Sequence, residues 1–249
     1  MTPVIDLLSA HRSVRKFTDR PVDEDILKTI VRAGQCASTS HHVQAWSVIH
    51  VTDRGNKKAI SELAGPQPWV ASAPVFLVWC ADLTRLEAAC EQHGLTAETG
   101  WAEQLIVATV DTALAAQNAM AAAESLGLGG VFIGGIRNDP ERVCNLLEIP
   151  DLAYPVFGMC LGYPDQSPEI KPRLPVDLVL KTDTFRGDRR DQDAASMIDA
   201  YDRQVRDYYL NRNSNVKERT WTGQMARFTA GIVRPHMKGF LEKQGFFIK

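Results

Sequence analysis

Cysteine is sparse in this chain. The five residues Cys36, Cys80, Cys90, Cys144 and Cys160 are scattered through 249 positions and form no CxxC pair. An odd, dispersed set cannot close a disulfide framework and lacks the paired spacing of a structural zinc site. Reduced thiols in a cytoplasmic protein are the expectation. Cys80 and Cys160 sit inside apolar runs and read as small buried hydrophobes rather than nucleophiles. Basic charge is not in surplus: 28 Lys and Arg stand against 30 Asp and Glu, a net charge of −2. That balance disfavours a nucleic-acid partner. Long apolar runs are missing too. The longest, Val75 to Ala81, falls well short of the ~20 residues of a membrane helix, so no membrane partner is expected. The opening MTPVIDLLSAHRSVRKF has no basic stretch ahead of an apolar block, so no secretory signal is expected. GxSxG, HExxH and GxxxxGK[ST] are all absent, which removes the usual hydrolase and P-loop signatures.

What is present is a globular composition. Apolar residues make up 45% and charged residues 23%, which argues against wholesale disorder. The charge is unevenly placed. Residues 1–180 hold 14 basic and 21 acidic side chains, whereas residues 181–249 hold 14 and 9. An acidic body with a basic tail suits packing of the tail on the body, or capture of a small anion.

Strands are predicted at Trp46–Thr52, Pro74–Ala81, Val131–Ile133, Pro155–Gly162 and near Asp177–Leu180. Helices are predicted over residues 3–10, 24–36, 56–64, 84–94, 102–126, 140–147, 194–211 and 221–244, with a turn at Gly65–Pro68 and polar loops at 36–42 and 183–196. The segment 102–126 is apolar nearly all round, so it should be buried, inside a domain or between subunits. Strands and helices do not alternate regularly. The expected fold is therefore α+β, a sheet flanked by helices.

Four stretches carry candidate chemistry. His11, Arg12, Ser13 and Arg15 gather two guanidiniums, an imidazole and a hydroxyl at a helix exit. They suit a phosphate, although a solvated basic turn has the same composition. Lys171-Pro172-Arg173-Leu174-Pro175 is either a stiff cationic strap or an extended linker. Gly127, Gly129, Gly130, Gly134 and Gly135 miss the GxGxxG spacing, because position 132 is Phe, and they follow a helix instead of opening one. They allow a flat ligand to approach the backbone, or mark two tight turns. Arg212, Lys217 and Arg219 surround a polar loop that suits the extra phosphate of NADPH or a plain solvated surface. His41 and His42 have no further ligand pair at helical spacing, so no metal site is expected.

Taken in order, HRSVRKFTDRPV, Gln67 in GPQPWV, the long 102–138 stretch, FGMCLGYP, KPRLP and the tail YYLNRNSN followed by TW resemble the nitroreductase superfamily. They are closest to its NADPH-dependent, oxygen-insensitive nitroreductase and flavin reductase branch. The resemblance implies one nitroreductase-like domain over 1–249 with a mixed sheet, a basic helical extension from about 183, and a homodimer with interface helices. It also implies non-covalent FMN and NADPH as the electron donor. It assigns His11, Arg12, Ser13, Arg15 and Arg173 to the FMN phosphate and ribityl, and Lys171 to the pyrimidine side. Thr39, Ser40 and Gln67 would contact ring or ribityl, and Phe132, Ile133, Gly134 and Gly135 the isoalloxazine. Arg212 and Lys217 would grip NADPH, while His42 and Arg234 would border the acceptor space. The chain departs from the branch at His41 and His42, where Ser and an aromatic residue are frequent, and at Lys217, where Arg is usual. The implied activity is ping-pong, two-electron reduction of small aromatic acceptors, nitroaromatics and quinones, with no protein residue in the hydride chemistry. The alternatives are an NADPH:FMN oxidoreductase that supplies reduced free flavin, a flavin-binding module without turnover, and an anion-binding dimer without flavin.

Overall fold

A computed structural model describes residues 1–185, 192–212, 216–246 and 249. The centre of the predicted 183–196 loop and residues 213–215 of the tail loop lie outside the described residues. The chain divides into two compact units, Met1–Pro168 with Arg234–Lys249, and Glu169–Val233.

The first unit begins with helices α1 (Pro3–Ser9) and α2 (Glu24–Gln35), then strand β1 (Trp46–His50) and helices α3 (Arg54–Leu63) and α4 (Pro68–Ser72). Strand β2 (Val75–Asp82), helix α5 (Thr84–Gln92) and the long helix α6 (Ala102–Ser125) follow, then β3 (Gly129–Ile133), α7 (Pro140–Leu147) and β4 (Ala153–Gly162). The strands run in the order β1-β2-β4-β3, and all neighbours are antiparallel. Besides these strand pairings, an isolated parallel bridge joins Ser13 to Gly130.

β2 explains how both faces are covered. Every one of its residues is buried, and they alternate between two cores as strand geometry demands. Val75, Leu77 and Trp79 meet Leu27 and Ile30 of α2 and Ala115, Ala119 and Met120 of α6. Phe76, Val78 and Cys80 meet Ile60 of α3, Val70 of α4 and Val143 of α7. The inner face of α6 is built of small residues, so α2 comes close: a Cβ on Gly34 would lie 3.0 Å from the Ala115 carbonyl oxygen. Burial of α6 is one-sided in the single chain. Ala108, Ala115, Ala116, Ala119 and Ala123 are fully buried, while Ile106, Val110 and Leu114 are 55%, 48% and 43% exposed. α6 has the length and apolar content of a membrane span, yet it packs its small-residue face on the sheet.

The second unit holds α8 (Val176–Val179), α9 (Gln192–Leu210) and α10 (Trp221–Ala230). It has its own small core of Tyr201, Val205 and Tyr209, with Leu174, Tyr208 and Trp221 against it. The chain then returns to the first unit with α11 (Met237–Lys243).

Three expectations need correction. The last predicted strand, Asp177–Leu180, is helix α8: Pro175 precedes its first turn, a place where proline's fixed φ is favourable. The turn expected at Gly65–Pro68 runs on into α4, again with proline in the first turn. The single helix expected over 221–244 is two. Arg234 adopts φ +53°, and Pro235 after it cannot continue a helix.

Candidate functional site

The basic N-terminal stretch is laid along the glycine strand. Ser13 bridges Gly130, and the Val14 amide donates to the Gly130 carbonyl at 2.9 Å. The glycines make that approach feasible: a Cβ on Gly129 would lie 2.7 Å from Val14 Cγ2, and one on Gly130 2.7 Å from the Cys160 carbonyl. Val14 is buried, so its neighbours Ser13 and Arg15 are turned toward the surface. The Arg15 guanidinium lies 5.6 Å from the Trp69 ring centroid. Arg12 donates to the Ala10 carbonyl at 3.2 Å, and to Ser167 Oγ and the Pro168 carbonyl at 3.4 Å each. His11 Nδ1 pairs with Glu124 Oε1 at 2.7 Å, which leaves Nε2 for any other partner.

Thr39 and Ser40 belong to a loop organised by a carboxylate that sequence reasoning did not single out. Asp111, on α6, is 2% exposed. Its Oδ2 accepts from Thr39 Oγ1 at 2.6 Å and from the Ala45 amide at 3.1 Å, and its Oδ1 accepts from the Ser40 amide at 3.4 Å. Thr39 Oγ1 in turn accepts from the Gln44 amide at 2.9 Å. Within this frame His41, His42 and Gln44 adopt φ of +48°, +60° and +52°. Non-glycine residues hold that conformation only where their surroundings impose it. Arg85 secures the far end by donating to the Gln44 carbonyl at 3.2 Å. Asp82, beside it, has its pKa held down: burial opposes this, but hydrogen bonds from Ser47 and Thr84 outweigh burial.

The third group surrounds the end of β3. Phe132 packs edge-on against Phe157, with centroids 5.1 Å apart. Gly134 and Gly135 open a short 3-10 helix ending at Asn138, whose first amides have no partner within the helix. A side chain at Gly135 would collide with the Ala64 carbonyl oxygen and lie 2.5 Å from Gln67 Nε2. Gln67 itself donates to that carbonyl at 2.7 Å, so the two meet at one place. Arg137 donates to the Val156 carbonyl, and burial, reinforced by Arg234, lowers its pKa. Arg234 Nε donates to Asn138 Oδ1 at 2.9 Å, which fixes it one turn beyond the glycine pair. Glu124, Arg137 and Asn138 were also missed. The signal available was an acid flanked by small and apolar residues within α6, for Asp111 and Glu124 alike.

Within the second unit, Tyr201 donates its hydroxyl to the Pro172 carbonyl at 3.1 Å and pins the proline strap. Lys171 Nζ lies 5.4 Å from the Tyr209 ring centroid, and the Arg212 guanidinium lies 5.6 Å from the same centroid. Both distances suit cation–π contact. Two residues expected to serve different ligands therefore share one aromatic ring. The Lys217 amide donates to the Tyr209 carbonyl at 3.3 Å. Arg173, exposed, lines a groove of about 260 Å3 with Lys171, Tyr201 and Trp221. Three of the five cysteines are poor nucleophiles: burial raises Cys80 and pushes Cys144 and Cys160 up to about 12. Among the described residues no His, Cys, Asp or Glu cluster could hold a metal.

Comparison with known proteins gives a consistent answer over the whole length. The Nitroreductase family profile matches residues 8–163, and the profile of the Nitroreductase family C-terminal domain matches 171–249. The chain is 43% identical over 247 residues to an oxygen-insensitive NADPH nitroreductase of Salmonella typhimurium, covering 99% of both chains. It is 42% identical over 252 residues to an FMN reductase [NAD(P)H] of Bacillus subtilis, covering all of both. Among solved structures, NfrA1 of B. megaterium superimposes with a TM-score of 0.94 at 41% identity, covering 99% of this chain and 100% of that one. The NADPH:FMN oxidoreductase of Vibrio harveyi, solved with NAD+, gives 0.90 at 36% identity, covering 100% of both. The basic stretch bridged to the β3 glycines, the antiparallel sheet and the family matches over 8–163 and 171–249 agree: the chain belongs to the nitroreductase family.

Proposed function

We propose that this chain is an FMN-dependent NADPH oxidoreductase that reduces nitroaromatics and quinones in two-electron steps. Bound FMN would supply the electron chemistry, accepting hydride from NADPH and passing an electron pair to the acceptor. The protein's share is binding and electrostatics. The donor set fits the cofactor. Arg12, Ser13 and Arg15 offer charged and neutral donors to a phosphate, and Thr39, Ser40 and Gln67 offer polar atoms to a ribityl chain or ring. Gly134, beside Phe132, has nothing closer to its Cβ position than the Arg137 guanidinium at 3.5 Å and so leaves the backbone open to a flat group, whereas Gly135 is packed against Ala64 and Gln67. The resemblance alone assigns Lys171 and Arg173 to the same cofactor. His11 would take part through Nε2.

The observation that carries this reading is the bridge from Ser13 to Gly130, which lays the basic stretch beside the glycine strand. The relatives named NADPH nitroreductase, FMN reductase and NADPH-flavin oxidoreductase support it. Arg212 and Lys217 are proposed to grip NADPH, and His42 and Arg234 to border the acceptor. A homodimer is proposed because Ile106, Val110 and Leu114 leave an apolar stripe on α6 open in the single chain. A cytoplasmic location is part of the same reading.

Purified protein should be yellow and should bleach when NADPH is added without oxygen. Colourless protein that takes up no FMN would refute the reading. Yellow protein that NADPH leaves unchanged would make it a flavin-binding module. The relatives named FMN reductase favour a second reading, in which free flavin is the main acceptor. Faster turnover of added FMN than of a nitrofuran would select it.

A further inference from the structure

The second unit carries a basic recess in which, of the residues considered above for NADPH, only Arg219 takes part. Arg206 of α9, the preceding-loop residues Glu218, Arg219 and Thr220, and Gln224 and Arg227 of α10 line a space of about 460 Å3. Arg206 Nη2 lies 2.7 Å from Glu218 Oε1. Arg219 and Arg227 have no ion pair, hydrogen bond or ring contact with any described residue. Gln224 and Arg227 stand three residues apart and so share one face of α10. The Thr220 hydroxyl caps the same helix, accepting from the Gly223 amide at 3.2 Å.

Three guanidiniums therefore surround one recess that holds a single carboxylate. Like charges that face one recess repel, and the repulsion is relieved when an anion enters. The lining contains no aliphatic or aromatic side chain. A flavin or nicotinamide ring would find nothing to stack on, whereas a compact oxyanion would find forked donors on several sides. Arg212 is occupied elsewhere, over Tyr208 and Tyr209, so the recess is not its ring site.

We propose that this recess is a binding site for a phosphate-bearing anion, of the size of pyrophosphate or a phosphate ester. Arg219 and Arg227 are its main ligands, with Arg206 shared between the anion and Glu218. The phosphate would come either from the electron donor NADPH or from a separate small phosphorylated molecule. The site stands on its own geometry and does not depend on the flavin reading.

The test is calorimetric titration of inorganic pyrophosphate into the purified protein saturated with FMN, in a low-salt chloride buffer. One saturable site is expected, and its affinity should fall as NaCl is raised. Arg219→Gln with Arg227→Gln should weaken binding about 100-fold, roughly tenfold for each guanidinium removed. Glu218→Gln should instead tighten it, by removing the negative charge from the lining; a gain cannot arise from misfolding. Lys58→Gln with Lys238→Gln removes two surface charges outside the recess and should change affinity by less than about threefold. Inhibition of NADPH turnover by pyrophosphate identifies the source. Competition with NADPH that the arginine variant abolishes assigns the phosphate to the donor, and non-competitive inhibition that it abolishes assigns it to a separate molecule. No saturable heat, or an arginine variant that binds like the lysine control, would overturn the proposal.

Discussion

The Asp111 carboxylate invites the most quantitative test. It sits on the inner side of α6 and accepts from the Thr39 hydroxyl, the Ala45 amide and, more weakly, the Ser40 amide. Asp111→Asn keeps the shape. The amide oxygen can take the place of Oδ2 and still receive the Thr39 and Ala45 donors, but as a neutral acceptor. Charge-assisted bonds are roughly twice as strong as neutral ones, so each loses about 1 kcal/mol, for a total near ~2 kcal/mol. Asp111→Ala leaves both donors without an acceptor, at about 1–3 kcal/mol each, or ~4 kcal/mol together. For a chain of this size about 1 kcal/mol moves Tm by ~2–4 °C. The Asn variant should therefore melt about 6 °C lower and the Ala variant about 12 °C lower by scanning calorimetry. The ordering also extends to the loop. His41, His42 and Gln44 hold positive φ inside this frame, so the Ala variant should lose protease resistance between residues 39 and 45 while the Asn variant keeps it. Equal melting of both variants within about 2 °C of the parent would refute the claim that Asp111 holds the loop.

Other outcomes follow from the proposed roles. Arg15→Ala with Lys171→Ala should purify without colour and bind FMN at least about 100-fold more weakly, since removing a hydrogen bond to a charged group costs about 1.5–3 kcal/mol; fluorescence titration with FMN checks this. Lys217→Ala should raise the KM for NADPH several-fold while leaving that for NADH nearly unchanged, because only the former carries the extra phosphate; equal effects in steady-state assays would remove the role. Ile106→Glu with Leu114→Glu puts two charges on the open stripe of α6. Sedimentation should then show monomers at concentrations where the parent protein is dimeric, because an unpaired charge is costly in an apolar interface.

Most of the scaffold could be read from local pattern. β2 is apolar at every position, and a strand of that kind must be covered on both faces, as α2 with α6 and α3 with α4 and α7 do. Helix starts were legible where proline marks them, as Pro140 does for α7; α3 instead begins at Arg54, two residues before the expected start, because Asp53 caps it by accepting from the Asn56 amide. Errors came where two conformations share a composition. VDLVL has the branched residues of a strand, yet it is short and follows a proline, and it coils into α8. The 221–244 stretch has helical spacing throughout, and the break is marked by Gly231, extended at the end of α10, and by the pair Arg234-Pro235.

The site was legible where chemistry is written in residue type and hidden where it depends on a distant partner. The arginines near Ser13 suit an anion by residue type alone, although a solvated basic turn has the same composition. The Thr39–Ala45 loop does not announce its conformation, because the group that imposes it lies 66 to 72 residues away along the chain. The same reasoning explains the two faces of α6. Polarity cannot separate them, since both are apolar, but side-chain size can. Ala108, Ala115, Ala116, Ala119 and Ala123 recur at the spacing of one helix face, where only a small residue lets α2 and the sheet approach. Ile106, Val110 and Leu114 recur every four residues on another, where large side chains stay open in the single chain. Asp111 follows Val110 directly and points inward, so one helix both braces the His41–His42 loop and presents the stripe proposed to meet a second protomer. A charge placed on that stripe should therefore disturb assembly first and the loop only through it, whereas a change at Asp111 should disturb the loop first.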